Sequence, residues 1–149
     1  MDIDASSYPH QLIELLVAIS EADFVSFDLE LTGIPSRLPG KEQWRPRTNN
    51  ERKPLEDRYQ ETKDAAGRFS ILQAGITCAR FDYASNKYTL KPYNIAISPL
   101  LNETLQLDME REFRIQTGAA SFLHNHGFNL EASLFRGVQY LSREEALGV

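Results

Sequence analysis

Asp28 and Glu30 stand two residues apart in the stretch FVSFDLELTGIP, Phe24 to Pro35. Apolar and polar residues alternate through it, which predicts a half-buried β-strand. Val25, Phe27, Leu29 and Leu31 then share one face; Ser26, Asp28, Glu30 and Thr32 share the other. A rise of about 3.3 Å per residue sets the two acidic Cα atoms about 7 Å apart. Anions that close repel, and Asp and Glu are poor strand formers. A divalent cation reverses the sign, because each carboxylate becomes a ligand. Oxygen ligands suit magnesium or manganese. Two such ions can stabilise the attacking and leaving oxygens of phosphodiester hydrolysis. The bland alternative is a pair of acids that solvate the outer face of a strand, and for an arbitrary D-x-E it is the commoner case. Here the apolar neighbours favour a central strand, and the polar loop beyond it offers room for a substrate.

The elements that must hold this strand follow from periodicity. Upstream, SSYPHQLIELLVAISEAD sets Leu12, Leu15, Leu16 and Ile19 at helical spacing, with Ser6 or Ser7 as the expected cap and Pro9 in the first turn. Gly33 and Pro35 end the strand. Residues 35–53, rich in Pro, Gly, Arg and Asn, are expected to form one long loop, of a length that often marks a lid or binding loop. PLEDRYQETKDAAGRF predicts a short helix with Pro54 in its first turn and a glycine stop. Ile71 to Phe81 and Tyr88 to Ile97 predict two strands joined near DYASNK, which with the first strand make a three-stranded antiparallel meander. Helices are then expected in TGAASFLHNHGF, with Thr117 as cap and Gly127 as stop, and in NLEASLFRG, between Asn129 and Gly137. SREEALGV opens a further helix on a Ser142–Glu145 capping box and breaks off, so it reads as cut.

The chain has 149 residues, enough for one domain with a real core. Its 42% hydrophobic and 25% charged residues are those of a globular protein. No apolar run approaches the roughly 20 residues that cross a membrane, and the acidic MDIDASSYPH lacks the features of a secretory signal. Cys78 alone allows no internal disulfide, which fits a reducing intracellular setting. One cysteine and three histidines argue against a Cys/His zinc site. The formal net charge is −5, whereas proteins that grip nucleic acid by phosphate neutralisation are usually basic. Either nucleic acid is not the partner, or metal ions supply positive charge locally. RLPGKEQWRPRTNNERK is locally basic, and its Trp44 can stack on a base, although a solvated loop is the commoner role for such a run.

From Phe24 onward FVSFDLELTGI, PLEDRYQ, FSILQAGIT, KYTLKPYNI and FRIQTGAASFLHNHGFNLEASLFRGVQYLSREE resemble, in order and spacing, the poly(A)-specific ribonucleases. These PARN-like deadenylases belong to the four-carboxylate 3′ exonucleases. The resemblance implies an α/β, ribonuclease H-like exonuclease fold, of which residues 1–149 are the N-terminal portion: an antiparallel three-strand start of a mixed sheet with flanking helices, the D-x-E strand central. It implies that Asp28 bridges two Mg2+ ions, with Mn2+ as a substitute, and that Glu30 binds one of them and contacts the terminal 3′ hydroxyl. Leu31 and Ile34 fall where members contact the last nucleotides. Phe113 falls in a segment that helps enclose terminal adenines; apolar contact suits the flat faces of unpaired bases. The implied partner is single-stranded RNA with a poly(A) 3′ end, met in the nucleus or cytoplasm, with no membrane.

The family's site uses four carboxylates and a histidine, and only the first two carboxylates have a counterpart here. Asp108 has no matching motif, and His124 and His126 are expected at a helix end rather than in catalysis. Two expectations follow. This chain alone is inactive, as a portion of a longer nuclease. Its first strand, lacking a later partner, is an edge that invites aggregation or pairing with another chain, as a homodimer or with an intact homologue. Two alternatives stand beside this: a non-catalytic RNA-binding or regulatory relative, and a phosphatase with an Asp nucleophile, whose D-x-D-x-T pattern Glu30 departs from.

Overall fold

The computed structural model describes residues 1–35, 54–103, 106 and 109–147. All of the expected 35–53 loop but Pro35, with Trp44 and the basic run from 37 to 53, lies outside them, as does Asp108.

The described elements are β1 (Asp2–Ile3), α1 (Tyr8–Glu21), β2 (Phe24–Leu31), α2 (Leu55–Arg68), β3 (Ile71–Asp82), β4 (Lys87–Ser98), α3 (Thr117–Asn125), α4 (Leu130–Arg136), β5 (Val138–Gln139) and α5 (Arg143–Leu147). The expected meander is present: β2 pairs antiparallel with β3, and β3 with β4. The β3–β4 turn is closed by Asp82, which accepts the Ala84 N–H at 2.9 Å and the Ser85 hydroxyl at 2.7 Å. Asn86 takes the left-handed conformation there, φ 54°, as Asn does more readily than most residues. Two short parallel strands complete a mixed sheet in the order β1-β4-β3-β2, with β5 also on β4. Among the described residues β2 therefore lies at an edge, not in the centre. Both sequels to β2 stack on one side of it, which leaves the edge expected for this stretch of chain by itself.

The sheet has two unlike faces. On one, α1 packs Leu15 and Ala18 against Cys78, Tyr93, Ile95 and Ile3. Each large apolar side chain so buried contributes about 1.5–3 kcal/mol. Cys78 is buried in this core as its strand position predicts. Of the four residues expected to form the inner stripe of α1, Leu15 is buried, but Leu16 and Ile19 are exposed. On the same sheet face Val25, Phe27 and Leu29 of β2 are exposed too, Phe27 by 77%. On the opposite face α4 covers the end of β4, where the Ser98 hydroxyl donates to the Leu134 carbonyl at 2.6 Å.

Helix ends follow local chemistry. Asn129 caps α4 by accepting the Ala132 N–H at 2.9 Å. Gly127, φ 80°, stops α3: its N–H reaches the His124 carbonyl and that of Phe128 reaches Leu123, the paired bonds of a Schellman turn. Ser142 and Glu145 exchange the two bonds of a capping box. Three details differ from expectation. Ser7 is the N-cap of α1 but makes no side-chain cap bond. Asp4 instead accepts from the backbone N–H groups of Ser6 and Ser7 and from both hydroxyls, and Asp4 O accepts the Tyr8 N–H. Gly67 does not stop α2, which runs to Arg68 after Pro54. Thr117 is the first helical residue of α3, with Gln116 before it at the cap.

Candidate active site

The alternation read from the sequence holds. Asp28 pairs with Gly75 and Glu30 with Gln73 across the β2–β3 ladder. Cross-strand partners share a face, so both carboxylates project from the face opposite α1. They line a slot of about 300 Å³ with Gln73, Gly75, Thr77 and Asn94. Glu30, Gln73 and Asn94 also line a larger cleft of about 960 Å³, walled on its far side by Phe122, His126 and Arg136. Among the described residues no side chain donates a hydrogen bond or ion pair to either carboxylate, and no third His, Cys, Asp or Glu joins them. The donor set is oxygen only, with the amides of Gln73 and Asn94 and the hydroxyl of Thr77 nearby. Two carboxylates and open space for water and phosphate fit the way magnesium is bound, through one or two acids plus substrate oxygens. The remaining ligands of a closed site are not among the described residues.

The strand is bent just beyond the carboxylates. Glu30 pairs with Gln73 but Leu31 with Ile71, so Leu72 is an extra residue in β3 and is fully buried. Such a bulge re-aims the chain. Thr32 is buried and tied twice to Ser70: its N–H donates to Ser70 O, and its hydroxyl accepts the Ser70 N–H, both at 2.9 Å. The Gln116 N–H donates to Thr32 O at 2.8 Å, and the Gln116 side chain accepts the Ile34 N–H at 3.1 Å. Phe69 forms a bridge with Arg114, and its ring occupies the space that a Cβ on Gly33 would need. The segments at 31–34, 69–70 and 113–116 are thus stitched into one rim. Leu31 is half-buried there, Ile34 is 62% exposed and Phe113 is half-buried. The three residues expected against nucleotides stand on this rim: Leu31 and Ile34 follow the carboxylates in the chain, and Phe113 belongs to the segment that the Gln116–Thr32 bond brings in.

His124 and His126 are not near-equivalent. Both are exposed, and His126 lies against Phe122 with ring centroids 4.1 Å apart while its Nδ1 is 2.8 Å from the Phe122 carbonyl oxygen. That is a helix-end role, although the His126 side chain borders the larger cleft. Gln116, Gly75 and Asn94 carry no chemical signature of their own in the sequence. The place of Gly75 and Asn94 in line with Asp28 depends on register, which a two-residue alternation does not reveal, and that of Gln116 on contacts with Thr32 and Ile34 far away in the chain.

Sheet order and helix placement give a mixed α/β fold with the two carboxylates on one open face of the sheet. The same architecture is found in the structure of S. pombe Pop2p in its Mg2+ and Mn2+ bound form, with a TM-score of 0.61 and 15% identity over 92% of this chain and 47% of that one. The chain belongs to the CAF1 family ribonucleases, whose family profile matches residues 3–148. It is similar to poly(A)-specific ribonuclease PARN of Arabidopsis thaliana, 31% identical over 144 residues, and of Homo sapiens, 32% over 145. Those matches take in 96% and 97% of this chain but 20% and 22% of the relatives, so the chain spans about a fifth of their length. Among the described residues no helix is long and apolar enough to cross a membrane.

Proposed function

We propose that this chain forms the N-terminal part of a magnesium-dependent 3′-to-5′ exoribonuclease domain that shortens single-stranded RNA ends such as poly(A) tails. The observation that carries this is the placement of Asp28 and Glu30 side by side on one open sheet face, ending in the rim built by Thr32, Ile34 and Gln116. The resemblance to poly(A)-specific ribonucleases supports the substrate class. Asp28 and Glu30 hold the cations, with manganese able to replace magnesium. When bound, the cations offset charge at the scissile phosphate and acidify the attacking water. Leu31, Ile34 and Phe113 offer apolar contact to the last bases. Glu30 lies nearest this rim in the chain and takes the terminal 3′ hydroxyl. Water then adds to the terminal phosphorus, the P–O3′ bond of the penultimate nucleotide breaks, and a nucleoside 5′-monophosphate leaves.

Two carboxylates do not complete such a site, so the isolated chain is inactive and the remaining ligands come from further polypeptide. The free side of β2 receives a strand of that polypeptide, in the same chain or in a homologous partner. The setting is intracellular, nuclear or cytoplasmic, as a reduced Cys78 suits. The test is to follow the native transcript past codon 149: a second Asp motif and a later His–Asp pair in frame support the proposal. A stop codon there, with RNA binding that chelator leaves unchanged, supports instead a non-catalytic RNA-binding relative. That second role is favoured by one observation, that no third acid or histidine joins the pair among the described residues.

A further inference from the structure

Four residues stand in one row across four strands: Asp28 of β2, Gly75 of β3, Asn94 of β4 and Asp2 of β1. The Asn94 amide nitrogen donates to Asp2 Oδ1 at 3.1 Å. A carboxylate only accepts, so Asp2 can bind only the donor end of that amide. The carbonyl end is thereby turned the other way, toward β3. Its Oδ1 stands 3.7 Å from the position a Cβ on Gly75 would take, and the Asp28 backbone oxygen stands 3.8 Å from the same point. Glycine leaves this space open, and the slot between Asp28 and Asn94 is the one the two carboxylates share. β1 is held to β4 by the Asn94 N–H on Met1 O at 2.7 Å and by the Met1 ammonium on Pro92 O at 2.9 Å. The N-terminal strand therefore fixes which way the Asn94 amide faces.

We propose that Asn94 is a positioning residue for the divalent cation of this site, its carbonyl oxygen accepting a hydrogen bond from the ion's hydration shell, with Asp2 holding the amide in that orientation. This rests on the proposal that Asp28 and Glu30 hold the cation. Two strand spacings of about 4.8 Å separate Asp28 from Asn94, which suits contact through the shell rather than with the ion. Magnesium keeps several of its waters when protein-bound, so such a shell is there to be held. A neutral amide oxygen adds an acceptor without adding to the repulsion between Asp28 and Glu30. The row also gives the first residues of the chain a role in the site that their distance along the sequence hides.

The test is a Mn2+ titration of the protein encoded by the native transcript, followed by electron paramagnetic resonance, with circular dichroism of each variant as the check on folding. Asn94 and Asp2 are exposed strand residues, so Asn94→Leu and Asp2→Ala are expected to fold. Partners of this outer kind change metal affinity about 10- to 100-fold; Asn94→Leu should weaken Mn2+ binding about tenfold, and Asp2→Ala by a smaller factor. Gly75→Ala, whose methyl enters the slot without a clash, should weaken it too. Asn94→Gln keeps both the donor that Asp2 binds and the carbonyl acceptor, and should bind Mn2+ more tightly than Asn94→Leu, which a purely structural role would not require. The inference is overturned if Asn94→Leu and Asp2→Ala bind Mn2+ like the unaltered chain while Asp28→Ala does not. If Asp28→Ala and Glu30→Ala also bind unchanged, the assignment of the cation to these acids fails, and the inference with it.

Discussion

Gln116 holds Ile34 at the rim of the site: its side-chain oxygen accepts the Ile34 N–H at 3.1 Å, while its own backbone N–H donates to Thr32 O at 2.8 Å. One residue thus bridges the start of α3 to both ends of the Thr32–Gly33–Ile34 turn that follows the carboxylates. Gln116→Leu removes only the side-chain bond. It should cost about 1 kcal/mol in urea unfolding and raise the hydrogen-exchange rate of the Ile34 amide. Gln116→Glu keeps an acceptor and should leave that rate near the starting value.

Gly33 and Gly137 admit no side chain, for different reasons. A Cβ on Gly33 would meet the Phe69 ring, and one on Gly137 would meet the Ser133 carbonyl oxygen and the Ile97 backbone. A ring can turn aside, but backbone cannot. Gly33→Ala should cost about 1–3 kcal/mol, and Gly137→Ala should cost more than Gly33→Ala in the same denaturant titration.

The parts of the fold legible in the sequence are those fixed by neighbours along the chain. The β3–β4 hairpin, the Asn129 cap, the Gly127 stop and the Ser142–Glu145 box each rest on contacts within a few residues. The face shared by Asp28 and Glu30 is of this kind too, because a strand's two-residue period needs no partner. What escaped depends on distant pairing. β1 is two residues long and exists only because β4 offers it an edge. The α1 cap expected at Ser6 or Ser7 falls at Ser7, but without a side-chain cap bond, because Asp4 folds back over both serines and takes their donors. Leu16 and Ile19 fit the helical stripe, yet α1 leans toward β3 and β4 and leaves them outside. Asn94 reads as an ordinary polar strand residue until register sets it in line with Asp28.

Acid should loosen the C-terminal end of the structure at a pH set by Glu145. The Arg111 guanidinium, with the Ser142 backbone N–H second, pushes the Glu145 carboxyl down to about 2 from an ordinary 4.5. Arg111 donates to both Glu145 oxygens, at 2.8 and 2.6 Å, and to the carbonyls of Pro99 and Tyr140. A carboxyl whose pKa falls on folding adds stability above its unfolded pKa and loses it as pH falls through the folded one. The Glu145 contribution is therefore complete above about pH 4.5 and gone below about pH 2. Glu145→Gln should flatten stability against pH across that window, as read by urea midpoints at successive pH values.

Asp28 and Glu30 burden the metal-free chain with mutual repulsion. Asp28→Ala should therefore leave the Tm unchanged or raise it by about 1–2 °C at low salt. Magnesium should stabilise the unaltered chain, by about 1.4 kcal/mol at ten times its Kd, and should leave the Asp28→Ala chain unmoved. Differential scanning calorimetry with and without magnesium reads both effects.

The most direct measurement takes the protein encoded by the native transcript, supplies a 5′-labelled oligoadenylate and magnesium, and follows its length on a sequencing gel for the unaltered protein and for Asp28→Ala. Stepwise shortening from the 3′ end with release of 5′-AMP, abolished by Asp28→Ala, is the predicted result. Equal shortening by both proteins would contradict the assignment of Asp28 to the reaction.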